Sequence, residues 1–268
     1  MLTKLFAFNA HGFRLAASYR LAFASRYVAM LTSIVFFYFL AQVFQGSSAA
    51  VLRNYGGDYF AFLLLGGAFS VYLSLCLRIF SEHLREELLA GTLEPLVVTA
   101  TPMTLSLLGP SLWSVLEGTF IAVLQLAVGA LVLGANYSHA NWLSVAVVSL
   151  ISIVCLVSWG IASAAFTIIF KRSDPINWLV GAITYVFSGV FFPVAVLPPW
   201  LQAISYLIPL TYALETMRGA MLVGRTLSEL GAPLTGLVAF TLVLLPLSVL
   251  ALQRAINYLR ETGSLSQY

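Results

Sequence analysis

Few side chains in this sequence could carry out chemistry, and they are not arranged for catalysis. The only lysines are Lys4 and Lys171, and neither has the glycine spacing of a phosphate-binding loop. The three histidines, His11, His83 and His139, lack the spacing of metal ligands. The glycine–serine elbow of hydrolases and the glycine pattern of dinucleotide-binding folds are also missing. We therefore expect no catalytic residue, no metal site and no cofactor bound by this chain.

Four of the ten acidic residues lie in one segment, residues 80–102. A charged helical pattern there breaks at a glycine, and a threonine then offers an N-cap for a second short helix with a glutamate in its first turn. The residues of this pattern are Glu82, Arg85, Glu86, Glu87, Gly91, Thr92 and Glu94. A plain solvated connection needs only about 4 to 6 residues. The pattern therefore favours a docking surface for another protein over a simple connecting loop.

Glu117 is the one acidic residue inside a long apolar run. An unpaired carboxylate within a bilayer is costly, so we expect this side chain to be protonated, hydrogen-bonded or in contact with water. Two roles stay open at this point. It either forms a polar clasp at a helix or subunit interface, or it lines the path of a transported substrate.

The composition explains why the few charges are informative. The chain has 268 residues, of which 60% are hydrophobic and 9% charged, whereas soluble domains contain about 25% charged residues. These values disfavour a soluble enzyme and also an outer-membrane barrel, whose strands alternate polar and apolar residues. The net charge of +3 does not indicate nucleic acid, because basic residues in such a chain set topology. We predict an all-α polytopic membrane protein with a single transmembrane domain over residues 1–268.

Charge-free runs define the membrane spans, because a bilayer core of about 30 Å needs about 20 apolar residues. Six spans fit, with a polar turn at residues 134–141 between the third and the fourth. The predicted spans are residues 27–45, 59–77, 106–133, 143–169, 176–193 and 230–253.

The region after the fifth span is rich in proline, which interrupts helices. Residues 197–223 therefore predict two short helices that enter the membrane and return, rather than a seventh span. Such a re-entrant element, over residues 195–225, needs protein or water to cover its backbone. Its most distinctive residues, with the proline that precedes it, are Pro193, Pro198, Pro199, Trp200, Pro209, Tyr212 and Glu215.

The basic residues predict the orientation of the spans. With six spans, ten of the 13 basic residues fall on one side, which places both termini in the cytoplasm. Residues 1–26 separate polar and apolar side chains onto two faces, as in an amphipathic helix lying in the membrane interface. That helix is either a simple lipid anchor or a structure that frames a lateral gate or contacts a partner.

Two motifs resemble the ABC type-2 exporter permeases. The first runs from Arg85-Glu86-Glu87 through Gly91-Thr92-Leu93-Glu94-Pro95-Leu96 to Thr101-Pro102. The second contains Ser188 to Pro193, Leu197 to Leu201, Pro209 to Glu215, and Arg218. The resemblance covers nearly the whole chain, including its length, its six predicted spans and its amphipathic N-terminus.

The resemblance implies a pair of membrane subunits, this chain and a second copy or close homologue, with two P-loop ATPase subunits. The loop of residues 80–102 would carry the coupling helix that docks on the ATPase through Arg85, Glu86, Glu87, Gly91, Thr92 and Glu94. ATP and Mg²⁺ would be bound by that partner. The setting would be a bacterial or archaeal cytoplasmic membrane.

The leading hypothesis is thus the permease subunit of an ATP-driven exporter of amphipathic, lipid-linked or drug-like molecules. The alternatives are an ATP-independent secondary carrier, for which inverted internal repeats would be expected, and an intramembrane enzyme, against which the missing catalytic motifs argue.

Overall fold

The computed structural model describes residues 20–44, 52–89, 103–170 and 174–262. Within these ranges the chain forms eight α-helices and two short 3-10 turns, at Arg53–Tyr55 and Val194–Val196, and it contains no strand. The helices are α1 (Arg20–Phe44), α2 (Tyr59–Leu89), α3 (Met103–Leu133), α4 (Trp142–Phe170), α5 (Asp174–Phe187), α6 (Pro199–Ser205), α7 (Pro209–Met221) and α8 (Gly231–Thr262).

Five of the described helices are long and apolar enough to cross a membrane. Their apolar parts are Phe23–Phe44, Tyr59–Glu82, Trp113–Leu133, Trp142–Thr167 and Gly231–Tyr258. They coincide with the predicted first, second, third, fourth and sixth spans, and the predicted polar turn at residues 134–141 connects α3 to α4. The all-α, multi-span prediction is therefore confirmed.

The fifth helix is shorter than the sequence suggested. We predicted a span over residues 176–193, but α5 ends at Phe187 after 14 residues, which is about 21 Å of helix. Gly189, with φ of 84°, adopts the left-handed conformation just beyond this end, and a right-handed helix cannot continue through it. An irregular segment then leads to α6.

Two short helices follow where the prolines indicated them. Pro199 and Pro209 each occupy the start of a helix, α6 and α7, where the missing N–H of proline costs nothing. The presence of two short helices is as expected. Their insertion into the bilayer and return remains a prediction.

The centre of the bundle is α2, which packs against α1, α3, α4, α5 and α7. Residues 61–65 of this helix are completely buried on every side, as expected of a helix that is surrounded by others. Gly160 of α4 allows a close crossing, because a Cβ there would lie 2.5 Å from the carbonyl oxygen of Cys76. The site described below is built around this central helix.

Contacts between loops define the two ends of the bundle. At one end, Asp58 accepts hydrogen bonds from the backbone N–H groups of Ala61 and Asn136, and the N–H of Asn141 donates to the carbonyl of Ala220 at 3.0 Å. Asn177 contacts α2 and α4 near the other end. The chain therefore passes along the length of the bundle between Asn177 and Ala220.

Two predicted features lie partly or wholly outside the described residues. The described part of α1 begins at Arg20 and continues without a break into the first span, so residues 20–26, which we assigned to an interfacial helix, belong to the same helix as that span. Residues 1–19 are not described. The same holds for residues 90–102, which contain Gly91, Thr92 and Glu94.

Candidate functional site

Among the described residues, three groups of polar side chains lie within the apolar bundle, and each joins helices that are distant in sequence. They are an ion pair between α1 and α3, an arginine-centred cluster between α7 and α2, and a hydroxyl and amide network joining α2, α4 and α5. Polar groups in a helix bundle of this kind must find partners, because water and lipid supply none in its interior.

Glu117 of α3 pairs with Arg26 of α1. Nη1 of the arginine lies 2.5 Å from Oε2 of the glutamate, and the Glu117 side chain is only 5% exposed whereas that of Arg26 is 45% exposed. The second carboxylate oxygen, Oε1, has no hydrogen-bond partner within the described ranges. Charge-assisted contacts of this type are among the stronger hydrogen bonds in proteins. The contact joins the first span to the third.

The position of this pair along the bundle follows from its distance to the C-terminal ends of α1 and α3. Glu117 precedes Leu133, where α3 ends, by 16 residues, or about 24 Å of helix. Arg26 precedes Phe44, the end of α1, by 18 residues, or about 27 Å. A hydrophobic core is about 30 Å thick, so the pair lies toward the end of the bundle from which α2 extends to Leu89.

Arg218 of α7 is almost completely buried, at 2% exposure. Its guanidinium donates to three backbone carbonyls, those of Gly189 at 2.7 Å, Val190 at 3.0 Å and Phe62 at 3.1 Å. Its guanidinium carbon also lies 3.4 Å from the ring centroid of Phe62, a cation–π contact. Arg218 thus connects α7 and the segment after α5 to the central helix.

The close approach around Arg218 requires a glycine on α2. A Cβ at Gly66 would lie 2.4 Å from the carbonyl oxygen of Val190 and 2.9 Å from Nη2 of Arg218. The guanidinium stays charged at neutral pH, because arginine keeps its proton in proteins. Among the described residues, no carboxylate lies within ion-pair distance of Arg218. The dipoles of the backbone carbonyls balance its charge instead.

Glu215 lies one turn before Arg218 on the same helix and accepts a hydrogen bond from the Tyr55 hydroxyl at 3.5 Å. Burial raises the pKa of Glu215, while the hydrogen bond from Tyr55 and the charge of Arg218 act in the opposite direction. Tyr59 adds a second tyrosine contact to this region, donating to the carbonyl of Phe191 at 3.1 Å. The loop before α2 is therefore attached to α7.

The remaining residues of the predicted re-entrant element divide into buried and exposed groups. Pro193 and Pro209 are buried, and the Tyr212 ring packs 5.3 Å from that of Phe240 on α8. Pro198, Pro199 and Trp200 face outward, and Trp200 is 67% exposed. The structure therefore brings Tyr212, Glu215 and Pro209 into the bundle and leaves the start of α6 on the apolar surface.

The third group was not identified from the sequence. The Ser163 hydroxyl of α4 lies 2.5 Å from Oδ1 of Asn177 on α5 and 3.1 Å from the Ser81 hydroxyl of α2. The Asn177 amide also donates to the Leu77 carbonyl at 3.3 Å. The only available signal was an asparagine and two serines within apolar helices. Four residues beyond Ser81, α2 reaches the first of the predicted coupling residues.

The predicted coupling residues are only partly within the described ranges. Arg85, Glu86 and Glu87 lie on the final turns of α2, which extends unbroken to Leu89. Their backbone is therefore helical, as the charged pattern predicted, and nothing is described of their side chains. Gly91, Thr92 and Glu94 lie outside the described residues, so the second short helix stays a prediction.

The family model for the ABC-2 type transporter matches residues 11–222, which include α1 to α7 and every residue of the three polar groups. A comparison with curated individual proteins found no match.

Proposed function

Because the chain belongs to the ABC-2 type transporter family and is a multi-pass membrane transport permease, we propose that it is the membrane subunit of an ATP-driven exporter. Its energy would come from a separate P-loop ATPase, which binds ATP and Mg²⁺. The cargo would be an amphipathic, lipid-linked or drug-like molecule that leaves the cytoplasm or the inner leaflet. A second copy of the chain, or a close homologue, would complete the membrane part of the transporter.

The observation that carries this proposal is the length and course of α2. This helix has 31 residues, or about 47 Å, which exceeds a hydrocarbon core of about 30 Å. Its N-terminal end lies beside the loop of residues 134–141, and its other end carries Arg85, Glu86 and Glu87. A helix of this length supports the display of a charged surface beyond the membrane, where a cytoplasmic partner would dock.

The Ser81–Ser163–Asn177 network suggests how movement at that surface would enter the membrane domain. It joins α2 to α4 and α5 close to the predicted docking residues. Closure of the ATPase dimer would displace the end of α2, and α4 and α5 would follow as connected elements. Rigid-body motion of packed helices is a common form of such transitions.

The proposed topology has six crossings with both termini in the cytoplasm. The fifth crossing would consist of α5 and the irregular segment that follows it, because Asn177 and Ala220 lie at opposite ends of the bundle. The Arg218 contacts would cover the irregular backbone of residues 189–190, as membrane depth requires. α6 and α7 would then form the re-entrant element at the outer face.

Two experiments test the proposal. The first is co-purification of the full-length chain with a P-loop ATPase, followed by transport measured with and without ATP. Failure to associate with any ATPase, together with transport that survives ATP depletion, would favour the secondary carrier instead.

The second experiment tests the docking surface. Glu94→Lys or Gly91→Pro should lower transport per ATP hydrolysed while the subunits still assemble, because both changes alter the predicted docking helix. Ser228→Lys, in the exposed loop before α8, is the control and should leave coupling unchanged. Normal coupling in both docking variants would show that the helix has been placed wrongly.

A further inference from the structure

A polar cavity lies where α1, α2 and α3 meet at one end of the bundle. Its volume is about 300 Å³, which is at the lower end of the range for small-molecule sites. Its described lining includes Tyr38 and Gln42 of α1, Asp58 and Phe60 at the start of α2, and Leu133 at the end of α3. We call this space the Asp58 cavity.

The Asp58 cavity lies at the level of lipid headgroups. The apolar part of α1 ends there at Phe44, that of α2 begins at Tyr59, and that of α3 ends at Leu133. Such segments match the hydrocarbon core of a bilayer, so their ends lie at its polar boundary. Val43 on α1 and Leu131 on α3 are 76% and 87% exposed, and these helices therefore present apolar surface to acyl chains close to the cavity.

Asp58 gives the cavity a negative charge. Its carboxylate oxygens accept one hydrogen bond each, from the backbone N–H of Ala61 at 3.0 Å and from that of Asn136 at 2.9 Å. Each oxygen therefore keeps a further lone pair. Among the described residues, no basic side chain lies within ion-pair distance of Asp58. Its charge is thus available to a ligand.

The helix ends around Asp58 add to this negative charge. The C-terminal ends of α1 and α3 both lie at the cavity, and each helix end of this kind carries about half a negative charge. The N-terminal end of α2 carries about half a positive charge, which Asp58 offsets as the cap of that helix. Two negative helix ends and one carboxylate against one positive helix end leave the cavity electronegative.

The rest of the described lining fits an organic cation better than a metal ion. The Tyr38 hydroxyl is accessible and makes no hydrogen bond with a described residue, and Gln42 is exposed. The rings of Tyr38 and Phe60 lie 5.5 Å apart, and aromatic rings attract cations. The described residues contain no group of three histidine, cysteine or acidic side chains, whereas an oxygen-bound metal ion takes about six ligands.

We propose that the Asp58 cavity binds the primary ammonium group of a phosphatidylethanolamine headgroup. Such an ammonium has three N–H donors, which match the Asp58 carboxylate, the Gln42 side-chain oxygen and the Tyr38 hydroxyl. The quaternary ammonium of phosphatidylcholine has no N–H to donate. The acyl chains of the bound lipid lie against the exposed apolar sides of α1 and α3. Binding at this site requires neither an ATPase partner nor transport.

The test compares phosphatidylethanolamine and phosphatidylcholine with identical acyl chains. The full-length chain is purified without an ATPase and titrated with an equal mixture of the two lipids, and native mass spectrometry counts the lipids that it retains. We expect one phosphatidylethanolamine per chain to be retained at an about tenfold lower concentration than phosphatidylcholine, which is the effect of one charge-assisted hydrogen bond.

Two charge variants test the role of the carboxylate. Asp58→Asn should abolish the preference, because it removes the charge, and the fold should persist, because asparagine is an equally good cap for α2. Glu229→Gln is the control, since it removes an acidic group that lies outside the cavity in the loop before α8. This control should keep the full preference.

A matched pair of tryptophan variants tests the position of the site. Gln42 lines the cavity, whereas its neighbour Val43 is exposed and does not line it. Gln42→Trp should remove the preferential retention, and Val43→Trp should leave it unchanged. Elution of each variant as a single species in size-exclusion chromatography shows that it is folded.

Four results would overturn the proposal. Equal retention of the two lipids by the wild type would show that the ammonium is not recognised. A preference that survives in Asp58→Asn, or that is also lost in Glu229→Gln, would exclude a specific role for the carboxylate. Loss of the preference in both tryptophan variants would place the lipid along α1 rather than in the cavity. Displacement of the lipid by equimolar soluble glycerophosphoethanolamine would identify a soluble amine as the ligand. None of these results affects the exporter proposal, which depends on the ATPase.

Discussion

At the scale of residues, the bundle accommodates two cationic side chains in different ways. Arg26 is partly exposed and pairs with the carboxylate of Glu117, whereas Arg218 is fully buried and donates to three carbonyl oxygens. The charge of Arg26 is balanced by a carboxylate. The charge of Arg218 is balanced by backbone carbonyl groups, whose positions depend on the fold. Their loss should therefore have different consequences.

Changes to the two members of the ion pair should not be additive in their effect on stability. Glu117→Ala leaves Arg26 without its partner, and we expect a cost between about 1 kcal/mol for an exposed pair and about 3 to 5 kcal/mol for a buried one. The variant that combines Arg26→Gln with Glu117→Gln should lose less than the sum of the two single changes. Size-exclusion chromatography after heating to a series of temperatures measures the loss of folded protein for each variant. Strict additivity would mean that the contact contributes nothing.

Arg218 should not tolerate lysine, although the charge is conserved. A lysine ammonium cannot reproduce the planar, forked donors that reach Gly189, Val190 and Phe62. We expect Arg218→Lys to lower the thermal unfolding temperature of the full-length chain clearly. Arg225→Lys, at an exposed position in the following loop, is the control. Equal unfolding temperatures for the two variants would contradict the assigned role.

Gly66 offers a separate test of the same contact. Gly66→Ala would place a methyl group 2.4 Å from the Val190 carbonyl, and we expect a loss of about 2 to 4 kcal/mol from overpacking and backbone shift. Gly181→Ala on α5 meets nothing within 4 Å and should be neutral, or stabilising by up to about 1 kcal/mol through helix propensity. Thermal unfolding distinguishes the two, and tolerance of alanine at Gly66 would contradict the packing.

Glu215 should make stability fall as pH rises. Its folded-state pKa is raised above the ordinary value of 4.5, so the folded state holds the proton more tightly than the unfolded state, and stability decreases between the ordinary and the raised pKa. Glu215→Gln should remove this slope in unfolding temperatures measured from pH 4 to 7.

Glu229 is the control, because its pKa is shifted in the opposite direction from that of Glu215. Hydrogen bonds from Thr226 lower its pKa, so its contribution is present above the ordinary value and is lost as pH falls through the lowered pKa. A wild-type slope that persists in Glu215→Gln would mean that another group dominates.

At the scale of elements, α2 is the central helix, against which most of the others pack. It is buried in the centre, it carries Gly66 against Arg218 near one end, and it forms the Ser81–Ser163–Asn177 network near the other. Its last described turns hold the first part of the predicted docking surface. Movement at that surface would reach α4 and α5 through this network, since the three side chains join the helices directly.

The network should affect coupling more than stability. Ser163→Ala removes a hydroxyl shared by three helices, whereas Ser158→Ala removes a buried hydroxyl whose described hydrogen bond is to its own helix. In the proposed complex with an ATPase, we expect Ser163→Ala to lower transport per ATP hydrolysed severalfold and Ser158→Ala to leave it unchanged. Equal effects of the two variants would indicate a general packing loss rather than transmission.

At the scale of the whole molecule, several loops meet at one end of the bundle. The loop before α2, the turn between α3 and α4, and the end of α7 contact one another through Asp58, Asn136, Asn141 and Ala220. These contacts require the turn at residues 134–141 and the loop before α8 to lie at the same end. If the docking surface is cytoplasmic, as proposed, that end would be the outer one.

Cysteine labelling tests this topology. The two native cysteines, Cys76 and Cys155, are buried, so a single introduced cysteine reports its own position. Ser138→Cys and Ser228→Cys, both at exposed positions, should react with a membrane-impermeant maleimide in intact cells. Ser264→Cys near the C-terminus should react only after lysis. Opposite accessibility of residues 138 and 228 would exclude a fifth crossing between α4 and α8.

The sequence alone determined what depends on composition and local pattern. Charge-free runs located the five long apolar helices, and the proline-rich region after the fifth predicted span indicated two short helices, because a bilayer requires apolar length and proline interrupts helices. Only the tertiary structure decided which polar residues meet. Arg26 and Glu117 are 91 positions apart, and Arg218 and Phe62 are 156 apart. Neither contact could be read from the sequence, because contact across a bundle depends on how the helices pack, and their local pattern does not specify that.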